Sequence, residues 1–449
     1  MKLWKWLAGL FFLLAVFDGA LRKWVFPSQS LLFYILKDIV LGVAFTLFAL
    51  GRNSRWYPQP IRGTWFPVLL GLYVYVVILQ AFNFVQPNVA VRVLGLKAHL
   101  AYLPLVILLP ALLAHLREWT PDHLILVYMG LVALPVMLLG IYQFFQPTSS
   151  WVNQYVADTA NISTVAGRPR ITGTFAYMNG MSAFMIFNTI LGFAVAVAGF
   201  LTKRRLLTWG GAIFFGVCLV VLPMIGSRGP VLILGILIAG IGLLLLGQKR
   251  GGTALVLSVI LVGGLVFGIT AQTNLDEGWM ALQDRVETAH DDPSKRTINT
   301  LLGPLNGLKR AGILGYGVGT FHQGAPRLVS GNQGRSWIPG GYVENGVMRL
   351  VLELGGIGWL VLFGLKCFVA WMAYQVFRAA NSAFEVVVGI VGVGKGITHI
   401  LLPVIFTNMA AITYWTVVGF VIYTWSYQQV RTDAVPPQKT PVEAATATR

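Results

Sequence analysis

Residues 174–223, TFAYMNGMSAFMIFNTILGFAVAVAGFLTKRRLLTWGGAIFFGVCLVVLP, decide the fold class of this chain. They hold two apolar runs, 174–200 and 206–223, and neither run contains a charged residue. A helix needs about 20 apolar residues to cross the hydrocarbon core of a bilayer, so each run predicts one membrane-spanning helix. The basic triplet Lys203-Arg204-Arg205 between the runs is typical of a cytoplasmic connection.

The same pattern extends along the whole chain. Of its 449 residues, 56% are hydrophobic and 11% are charged, whereas about 25% are charged in soluble proteins. This composition excludes a soluble globular enzyme and predicts an all-α polytopic membrane protein with about twelve transmembrane helices. The predicted spans are 3–20, 31–50, 65–84, 99–115, 123–145, 174–200, 206–223, 230–247, 252–271, 346–377, 383–401 and 403–427.

The spans divide the chain into four parts. Residues 1–271 hold helices one to nine, 272–345 form a large extracytoplasmic loop, 346–430 hold helices ten to twelve, and 431–449 form a disordered tail. Within the loop, Asp276–His290 and Thr297–Ala311 have the periodicity of amphipathic helices. Such helices can lie in the membrane interface.

The basic residues predict the orientation. The chain has 33 Lys and Arg against 16 Asp and Glu, a formal charge of +17. With the N-terminus inside, every inner connection carries at least one basic residue, as the positive-inside rule requires. We therefore expect both termini in the cytoplasm, and the basic surplus does not indicate nucleic acid.

The predicted outer face also carries basic residues, although they should be scarce there. Snorkelling to lipid headgroups explains part of this surplus. The alternative is a site for an anion, above all a phosphate, because guanidinium groups match phosphate oxygens bidentately. The basic residues of the short outer loops are Arg22, Lys23, Arg92, Lys97, Arg168, Arg170 and Arg228, against the acidic Asp18 and Asp158.

Two of these outer segments place arginines beside glycines. Arg168-Pro169-Arg170 precedes span six and is interpreted either as a substrate-binding pair or as an interfacial anchor next to a helix cap. Gly226-Ser227-Arg228-Gly229-Pro230 joins spans seven and eight. There Arg228, beside a helix N-terminus, favours phosphate binding, and the alternative is a tight turn with a surface arginine.

The large loop contains a further arginine and a glycine-rich stretch. Arg296 precedes the second amphipathic segment, and Gly312–Phe321 follows it. Because no strand precedes the GxGxG pattern, a dinucleotide site is a poor explanation. We interpret the stretch as a turn that packs closely on a helix or exposes backbone donors. The chain has no metal-ligand spacing of a known kind, so we predict no metal and no cofactor.

Ionisable residues mark the start of span ten. Glu344 and Asn345 stand where the loop enters the membrane, and Glu344 is either a functional carboxylate or a helix cap. Arg349 and Glu353 are four residues apart and are expected to pair on one helix face. Lys37 and Asp38, adjacent in span two, point in different directions, so each needs a partner elsewhere.

In their order and spacing, these segments resemble the O-antigen ligase and Wzy-type polymerase superfamily. The similar features are an RxxGTF segment with a following Asn, an S-R-G turn, a basic residue in a long outer loop, a GxGxGxF-like stretch and an E-x-G-x-x-G pattern. They extend over about 190 residues, and the twelve-span plan covers most of the chain. Here they read Arg170–Asn179, Ser227-Arg228-Gly229, Arg296, Gly315–Phe321 and Glu353–Gly358.

This resemblance implies a metal-independent, inverting glycosyltransferase that works outside the cytoplasmic membrane. The donor would be a glycan on undecaprenyl diphosphate, and the acceptor another lipid-linked glycan or lipid A–core. The family's arginines map onto Arg228 and Arg296, with Arg170 as an additional candidate. Arg168, Asn345 and Arg349 complete the expected substrate site, and a chain-length regulator is a possible partner protein.

One departure from the family pattern concerns the start of span ten. Family ligases commonly have a His-Asn pair there, whereas this chain has Glu344-Asn345. The difference favours a polymerase of O-antigen or exopolysaccharide over a ligase, and it makes Glu344 the candidate base.

An alternative from another class is a small-anion transporter. It would use the outer arginines without a base and would need charged residues in the middle of the membrane. The candidates for that role are Lys37, Asp38, Lys366 and Lys395.

Overall fold

The computed structural model describes residues 3–51, 58–115, 121–156, 162–165, 167–226, 235, 302–329, 343, 345–401, 403 and 407–433. Across these ranges it consists of α-helices, with one two-residue β-ladder between β1 (Thr164–Val165) and β2 (Arg168–Pro169). The helices are α1 Leu3–Ala20, α2 Ser30–Leu50, α3 Gln59–Arg62, α4 Phe66–Ala81, α5 Val89–Leu100, α6 Leu105–His115, α7 Pro121–Tyr128, α8 Leu134–Phe145, α9 Met178–Leu201, α10 Arg205–Met224, α11 Gly303–Ala311, α12 Ala325–Leu328, α13 Gly346–Arg378, α14 Ala383–Leu401 and α15 Asn408–Asp433.

Nine helical stretches of the described residues are long and apolar enough to cross a membrane. The helix α4 is apolar but shorter. The chain is therefore an all-α polytopic membrane protein, as its composition predicts. The nine stretches are Leu3–Val25, Pro27–Leu50, Val89–Ala114, Asp122–Phe145, Met178–Leu201, Arg205–Met224, Gly346–Arg378, Ala383–Ile400 and Asn408–Thr432.

The helix bounds agree with most predicted spans and correct two of them. The stretch Val89–Ala114 begins ten residues before the fourth predicted span, which starts at residue 99, and α15 begins at Asn408 rather than at residue 403. This early start follows from a helix cap, because the Asn88 side chain accepts from the N–H of Val91 at 2.9 Å. Of the amphipathic segment Thr297–Ala311, the described part is α11. The predicted spans 230–247 and 252–271 and the segment Asp276–His290 lie outside the described residues.

Proline and glycine interrupt two long helices. A π-helical turn, Met129–Ala133, joins α7 to α8 just before Pro135. Proline has no N–H to donate and its ring meets the carbonyl four residues earlier, and such a bulge is a common way to accommodate the misfit. In α13, Gly355 has a φ of 72°, so the segment before it bends away from the rest of the helix.

Small residues set the closest helix contacts. The pair α9 and α10 meets where Gly211 lies against Ala196 and Gly199 against Thr208, so closely that an added Cβ would overlap the neighbouring backbone. Helices in membranes associate through such small residues, because lipid offers little hydrophobic driving force. As a result α9 lies in the centre of the bundle, with an unbroken buried run from Asn188 to Gly199.

The bundle has two ends with different character. One end, which we call the loop face, contains the connections 146–177 and 312–329 and the start of α13. The opposite end contains the start of α1, the α9–α10 connection and the end of α15. There the ion pairs Arg204–Asp122 and Arg431–Glu385 join neighbouring helices.

Candidate functional site

Four of the seven predicted site residues lie within the described residues, and all four are at the loop face. They are Arg168, Arg170, Asn345 and Arg349. The three proposed catalytic residues, Arg228, Arg296 and Glu344, lie outside the described residues. The described part therefore shows the contacts of the four expected substrate-site residues.

Arg170 joins the segment before α9 to the end of α10. Its side chain is almost buried, and Nε donates to the carbonyl of Ile225 at 2.9 Å. The backbone N–H of the next residue, Ile171, donates to the carbonyl of Met224 at 3.5 Å. Ile225 is three residues before Arg228 in the sequence, so the RxxGTF segment and the segment leading to the S-R-G turn meet in space.

The residues after Arg170 are held by buried polar side chains. Gln143 of α8 accepts with Oε1 from the N–H groups of Thr172 (3.2 Å) and Gly173 (2.7 Å). Lys23 donates with Nζ to Thr172 Oγ1 (3.0 Å) and to the carbonyl of Gly173 (2.8 Å). These backbone groups thus bind α8 and the end of α1. Sequence reasoning missed Gln143 and placed Lys23 among the outer basic residues without a partner.

Arg168 forms one residue of the ladder before this segment. It lies in β2, where it is the register partner of Val165. The ladder fixes the backbone that leads to Arg170, whose own N–H donates to the carbonyl of Ser163 at 3.0 Å. The backbone that carries both arginines of the Arg-Pro-Arg segment is thus fixed by hydrogen bonds.

Asn345 caps α13. Its Oδ1 accepts from the N–H groups of Val347 (3.0 Å) and Met348 (3.1 Å), two of the donors that a helix start leaves without intrahelical partners. The start of α11 packs directly on this cap, because a Cβ at Gly303 would overlap the Asn345 side chain. The cap therefore fixes both the start of α13 and the position of α11.

Arg349 is buried one turn further along α13. Its Nε donates to the carbonyl of Val343, just before the cap. Arg349 thus ties α13 to the chain that leads into it, and Glu344 stands between Val343 and Asn345 in the sequence.

The predicted pairing of Arg349 with Glu353 is wrong. Both residues are described, but the Glu353 carboxylate binds groups on other elements. Its Oε2 lies 3.1 Å from Nε2 of His99, and its Oε1 accepts from the N–H of Phe321 at 3.0 Å. The two carboxylate oxygens thus have one donor each, from α5 and from the glycine-rich stretch, and the buried carboxylate is satisfied without Arg349.

A chain of three buried groups results. Nδ1 of His99 lies 3.0 Å from the Tyr73 hydroxyl, and all three side chains are almost inaccessible. If Nε2–H of His99 donates to Glu353, Nδ1 accepts from Tyr73 O–H, so every polar atom of the chain has a partner. Sequence reasoning missed His99 and Tyr73. The available signal was a second ionisable residue within an apolar span, because such residues pair with one another.

The glycine-rich stretch packs closely on α5 and α13, as interpreted from the sequence. The N–H groups of Tyr316 and Gly317 donate to the carbonyls of Leu352 (2.8 Å) and Glu353 (3.1 Å). Gly315 has a φ of 74°, and a Cβ there would overlap the backbone nitrogen of Gly355. Only glycine fits such a conformation and such an approach, so the stretch lies flush against the helix bend.

His322 directly follows this stretch and is a partly buried imidazole. Its Nδ1 accepts from the N–H of Gly324 at 3.0 Å, which requires the neutral ring. Burial lowers the pKa of His322 below its ordinary value; Glu353 opposes this shift, whereas Lys97, His99 and Arg349 add to it. The imidazole is therefore neutral at pH 7 in this environment.

The paired charges near α2 are structural. Lys37 binds Asp18 at 2.7 Å. Asp38 is bridged by Lys97 at 2.9 Å and accepts from the Tyr102 hydroxyl at 2.9 Å. This confirms that Lys37 and Asp38 point to different partners.

A second group of basic side chains lies deeper, between α13, α14 and α15. Lys366 donates to the carbonyl of His399 at 2.7 Å, and Lys395 donates to Thr413 Oγ1 at 3.0 Å. Neither ring nitrogen of His399 has a hydrogen-bond partner among the described residues. The group is the described feature that an anion transporter would use.

No protein-family model matches the chain, and no curated protein matches it significantly.

Proposed function

We propose that this protein is a membrane glycosyltransferase that transfers a glycan from undecaprenyl diphosphate to an acceptor hydroxyl at the loop face. Within this class we favour a polymerase of O-antigen or exopolysaccharide, with a ligase to lipid A–core as the alternative. The loop face would then be the outer face of the bacterial inner membrane, and both termini would be cytoplasmic.

One observation carries the proposal: segments that contain or directly precede the motif-like sequences meet in space as two pairs. The RxxGTF segment contacts the end of α10 through Arg170 and Ile225. The glycine-rich stretch contacts the E-x-G-x-x-G helix through Gly317 and Glu353. These motifs are far apart in the sequence, so a shared end of the bundle is what a common site requires.

The reaction needs few groups from the protein. The acceptor hydroxyl attacks the anomeric carbon, the bond from that carbon to the diphosphate oxygen breaks, and the configuration inverts. Arg228 and Arg296, with Arg170, would stabilise the charge on the departing diphosphate; one placed donor of this kind is worth roughly 3–4 kcal/mol of barrier. Glu344 would take the hydroxyl proton, a contribution on the order of 10²–10⁴ in rate.

The test is turnover of a synthetic undecaprenyl-diphosphate oligosaccharide by the purified protein. We expect Glu344→Gln to abolish turnover while donor binding survives, because only the base is lost. Arg228→Ala should weaken donor binding and turnover together. Arg205→Ala is the matched control, since Arg205 is exposed at the opposite end. Wild-type turnover in Glu344→Gln would remove that residue from the mechanism.

A second test identifies the subclass in cells that lack the gene. Accumulation of single lipid-linked repeat units would indicate a polymerase, and accumulation of long lipid-linked chains a ligase. An unchanged lipid-linked pool together with unchanged surface polymer would contradict glycosyl transfer.

The second candidate function is a small-anion transporter. The observation that favours it is the group formed by Lys366, Lys395 and His399, which is buried away from the loop-face pairs. Anion uptake in the same deletion strain separates the two functions, because only a transporter would lose uptake while the lipid-linked glycans stay normal.

A further inference from the structure

Two buried ammonium groups lie between α13, α14 and α15. Lys366 of α13 donates to the carbonyl of His399 at 2.7 Å, and Lys395 of α14 donates to Thr413 Oγ1 of α15 at 3.0 Å. Both lysines are almost inaccessible, with exposed fractions of 4% for Lys366 and 1% for Lys395. An ammonium group has three donors, so these contacts use one donor of each lysine.

Within the described residues, neither lysine has a carboxylate partner. The three helices pack on one another and on α1, α3, α4, α6, α7, α9 and α11. The acidic residues of all these helices are bound to other groups or lie at the far end of α15. Asp18 pairs with Lys37, Asp122 with Arg204, Glu353 with His99 and Glu385 with Arg431, and Asp433 ends α15. In the sequence, residues 230–247, 252–271 and 402–407 contain no acidic residue.

Two polar rings beside the lysines also have unsatisfied atoms. Neither ring nitrogen of His399 nor the Tyr414 hydroxyl has a hydrogen-bond partner in the described part of the chain, although both side chains are buried. The two rings meet edge to face with their centroids 5.0 Å apart, and the charges of both lysines act on the imidazole. Buried polar groups are nearly always hydrogen-bonded, so a ligand that accepts from these groups would stabilise them together.

The chemistry of the group indicates an anion. A charge inside a membrane bundle is stable only when it has a partner. The Phe187 ring centroid lies 6.0 Å from Lys395 Nζ, which is the limit of a cation–π contact. A water molecule would satisfy the hydrogen bonds but would leave the charge uncompensated. An anion accepts from ammonium N–H, imidazole N–H and phenol O–H groups and compensates the lysine charge as well.

The helix packing limits the size of this anion. Gly396 directly follows Lys395, and a Cβ added there would lie 2.7 Å from the Cβ of Ala370. A Cβ at Gly392 would lie 2.6 Å from the Cβ of Ala373. Because α13 and α14 approach so closely, a monatomic anion suits the group better than phosphate or a carboxylate does.

We propose that a resident chloride ion binds between α13, α14 and α15, where it accepts from Lys366, Lys395, His399 and Tyr414. The ion would join three helices that carry no opposite charges of their own at this place. The inference goes beyond the proposed function, because the ion takes no part in glycosyl transfer. It also differs from anion transport, because the ion stays in the bundle.

Chloride binding is measured by isothermal titration of sodium chloride into the full-length protein in detergent and sodium gluconate. Thermal unfolding is then compared in the two salts at equal ionic strength. We expect wild type to bind chloride and to unfold at a higher temperature in chloride, since a ligand that binds only the folded state stabilises it. Tyr414→Phe removes one donor and no charge, and it should lower the chloride affinity about tenfold.

A pair of lysine variants tests the charge. Lys395→Met keeps the length of the side chain, and it should lose most of the chloride affinity together with the shift in unfolding temperature. Lys37→Met is the matched control, because Lys37 is as deeply buried in a membrane helix but is paired with Asp18. This control should be less stable in both salts and should keep the chloride affinity. If Lys395→Met does not fold, Tyr414→Phe carries the test.

Three results overturn the inference. The first is the absence of chloride binding together with equal stability of wild type in both salts, which would indicate uncharged lysines and buried water. The second is a chloride affinity that is the same in Tyr414→Phe as in wild type, which would place the ion elsewhere. The third is chloride flux into proteoliposomes that Tyr414→Phe reduces, because the ion would then be transported. The first two leave the proposed glycosyl transfer standing, whereas the third favours the transporter.

Discussion

Removing the Glu353 carboxylate should release the glycine-rich stretch from the bundle. Glu353 is fully buried and accepts from Phe321 N–H and from His99. In Glu353→Ala both donors lose their acceptor inside the bundle. Each unsatisfied buried donor costs about 1–3 kcal/mol, so the docked state should lose roughly 2–6 kcal/mol.

Glu353→Gln is a milder change than Glu353→Ala and should have a smaller effect on docking. The amide keeps the volume, and its oxygen can still accept from Phe321 N–H. Its NH₂ group faces His99, which accepts if the imidazole changes tautomer and donates to Tyr73 instead. The variant loses only the extra strength that a charged acceptor gives to its hydrogen bonds, about 1 kcal/mol of the free energy of docking.

Hydrogen–deuterium exchange measures this directly, because the amides of Tyr316, Gly317 and Phe321 donate the bonds in question. With about 1.4 kcal/mol for each factor of ten, Glu353→Ala should lower protection by roughly 30- to 10⁴-fold. Glu353→Gln should lower it about fivefold.

A second buried carboxylate provides the control. Glu385 lies at the opposite end, where it accepts from Asn381 N–H (2.9 Å), Gln428 (2.9 Å) and Arg431 (3.2 Å). Glu385→Ala should destabilise the α14–α15 contact and leave protection of residues 315–321 as in wild type. Unchanged protection of those amides in Glu353→Ala would refute the role assigned to the carboxylate.

Two more predictions concern the same stretch. Burial lowers the pKa of His322, so the protein binds fewer protons when the glycine-rich stretch is docked on the bundle than when it is released. Docking is therefore strongest above about pH 6.5 and is lost as the pH falls through the lowered pKa. Exchange of residues 315–324, corrected for intrinsic rates, should show this loss in wild type and not in His322→Gln; an equal pH dependence in both would contradict it. Gly315→Ala should destabilise the protein by roughly 1–3 kcal/mol more than Gly312→Ala, because both glycines have positive φ but only at Gly315 would the new Cβ meet backbone. Thermal unfolding in detergent compares the two, and equal melting temperatures would exclude the close contact.

The helices could be read from the sequence because each depends on local composition. Leu3–Ala20 appears as an apolar run between charged residues, and α1 has those bounds. The reading failed where charges interrupt a run, as in α5, which carries Arg92 and Lys97. Lys97 is tolerated there because Asp38 of α2 supplies a partner, and a linear pattern cannot show that.

The site was predictable only in part for the same reason. The glycine spacing indicates close packing, and the structure confirms it at Gly315 and Gly355. The partner of Glu353 was not predictable, because His99 is 254 positions away. Local spacing favoured Arg349, which instead supports the carbonyl of Val343.

The basic residues of the loop face show where an interpretation from composition alone is incomplete. Snorkelling to lipid headgroups fails for Lys23 and for Lys97, since the first binds Thr172 and the second binds Asp38 inside the protein. Lys23 thereby holds the segment after Arg170, and Lys97 joins α5 to α2. A surplus of outer basic residues thus has a third explanation, internal pairing, besides lipid contact and ligand binding.

The positions of the buried charges also bear on the choice between the two candidate functions, transferase and anion transporter. A transporter would need Lys37 and Asp38 as charged sites along the path of the anion. Lys37 is already paired with Asp18, and Asp38 with Lys97. A row of aromatic rings joins the buried Tyr73–His99–Glu353 contacts to the group formed by Lys366, Lys395 and His399. The distances between ring centroids along this row are 6.4 Å from Tyr73 to Trp415, 5.0 Å from Trp415 to Tyr414 and 5.0 Å from Tyr414 to His399. An anion would have to displace this packed row, whereas a transferase uses only one end of the bundle. We therefore retain the transferase as the proposed function, because it needs no such rearrangement.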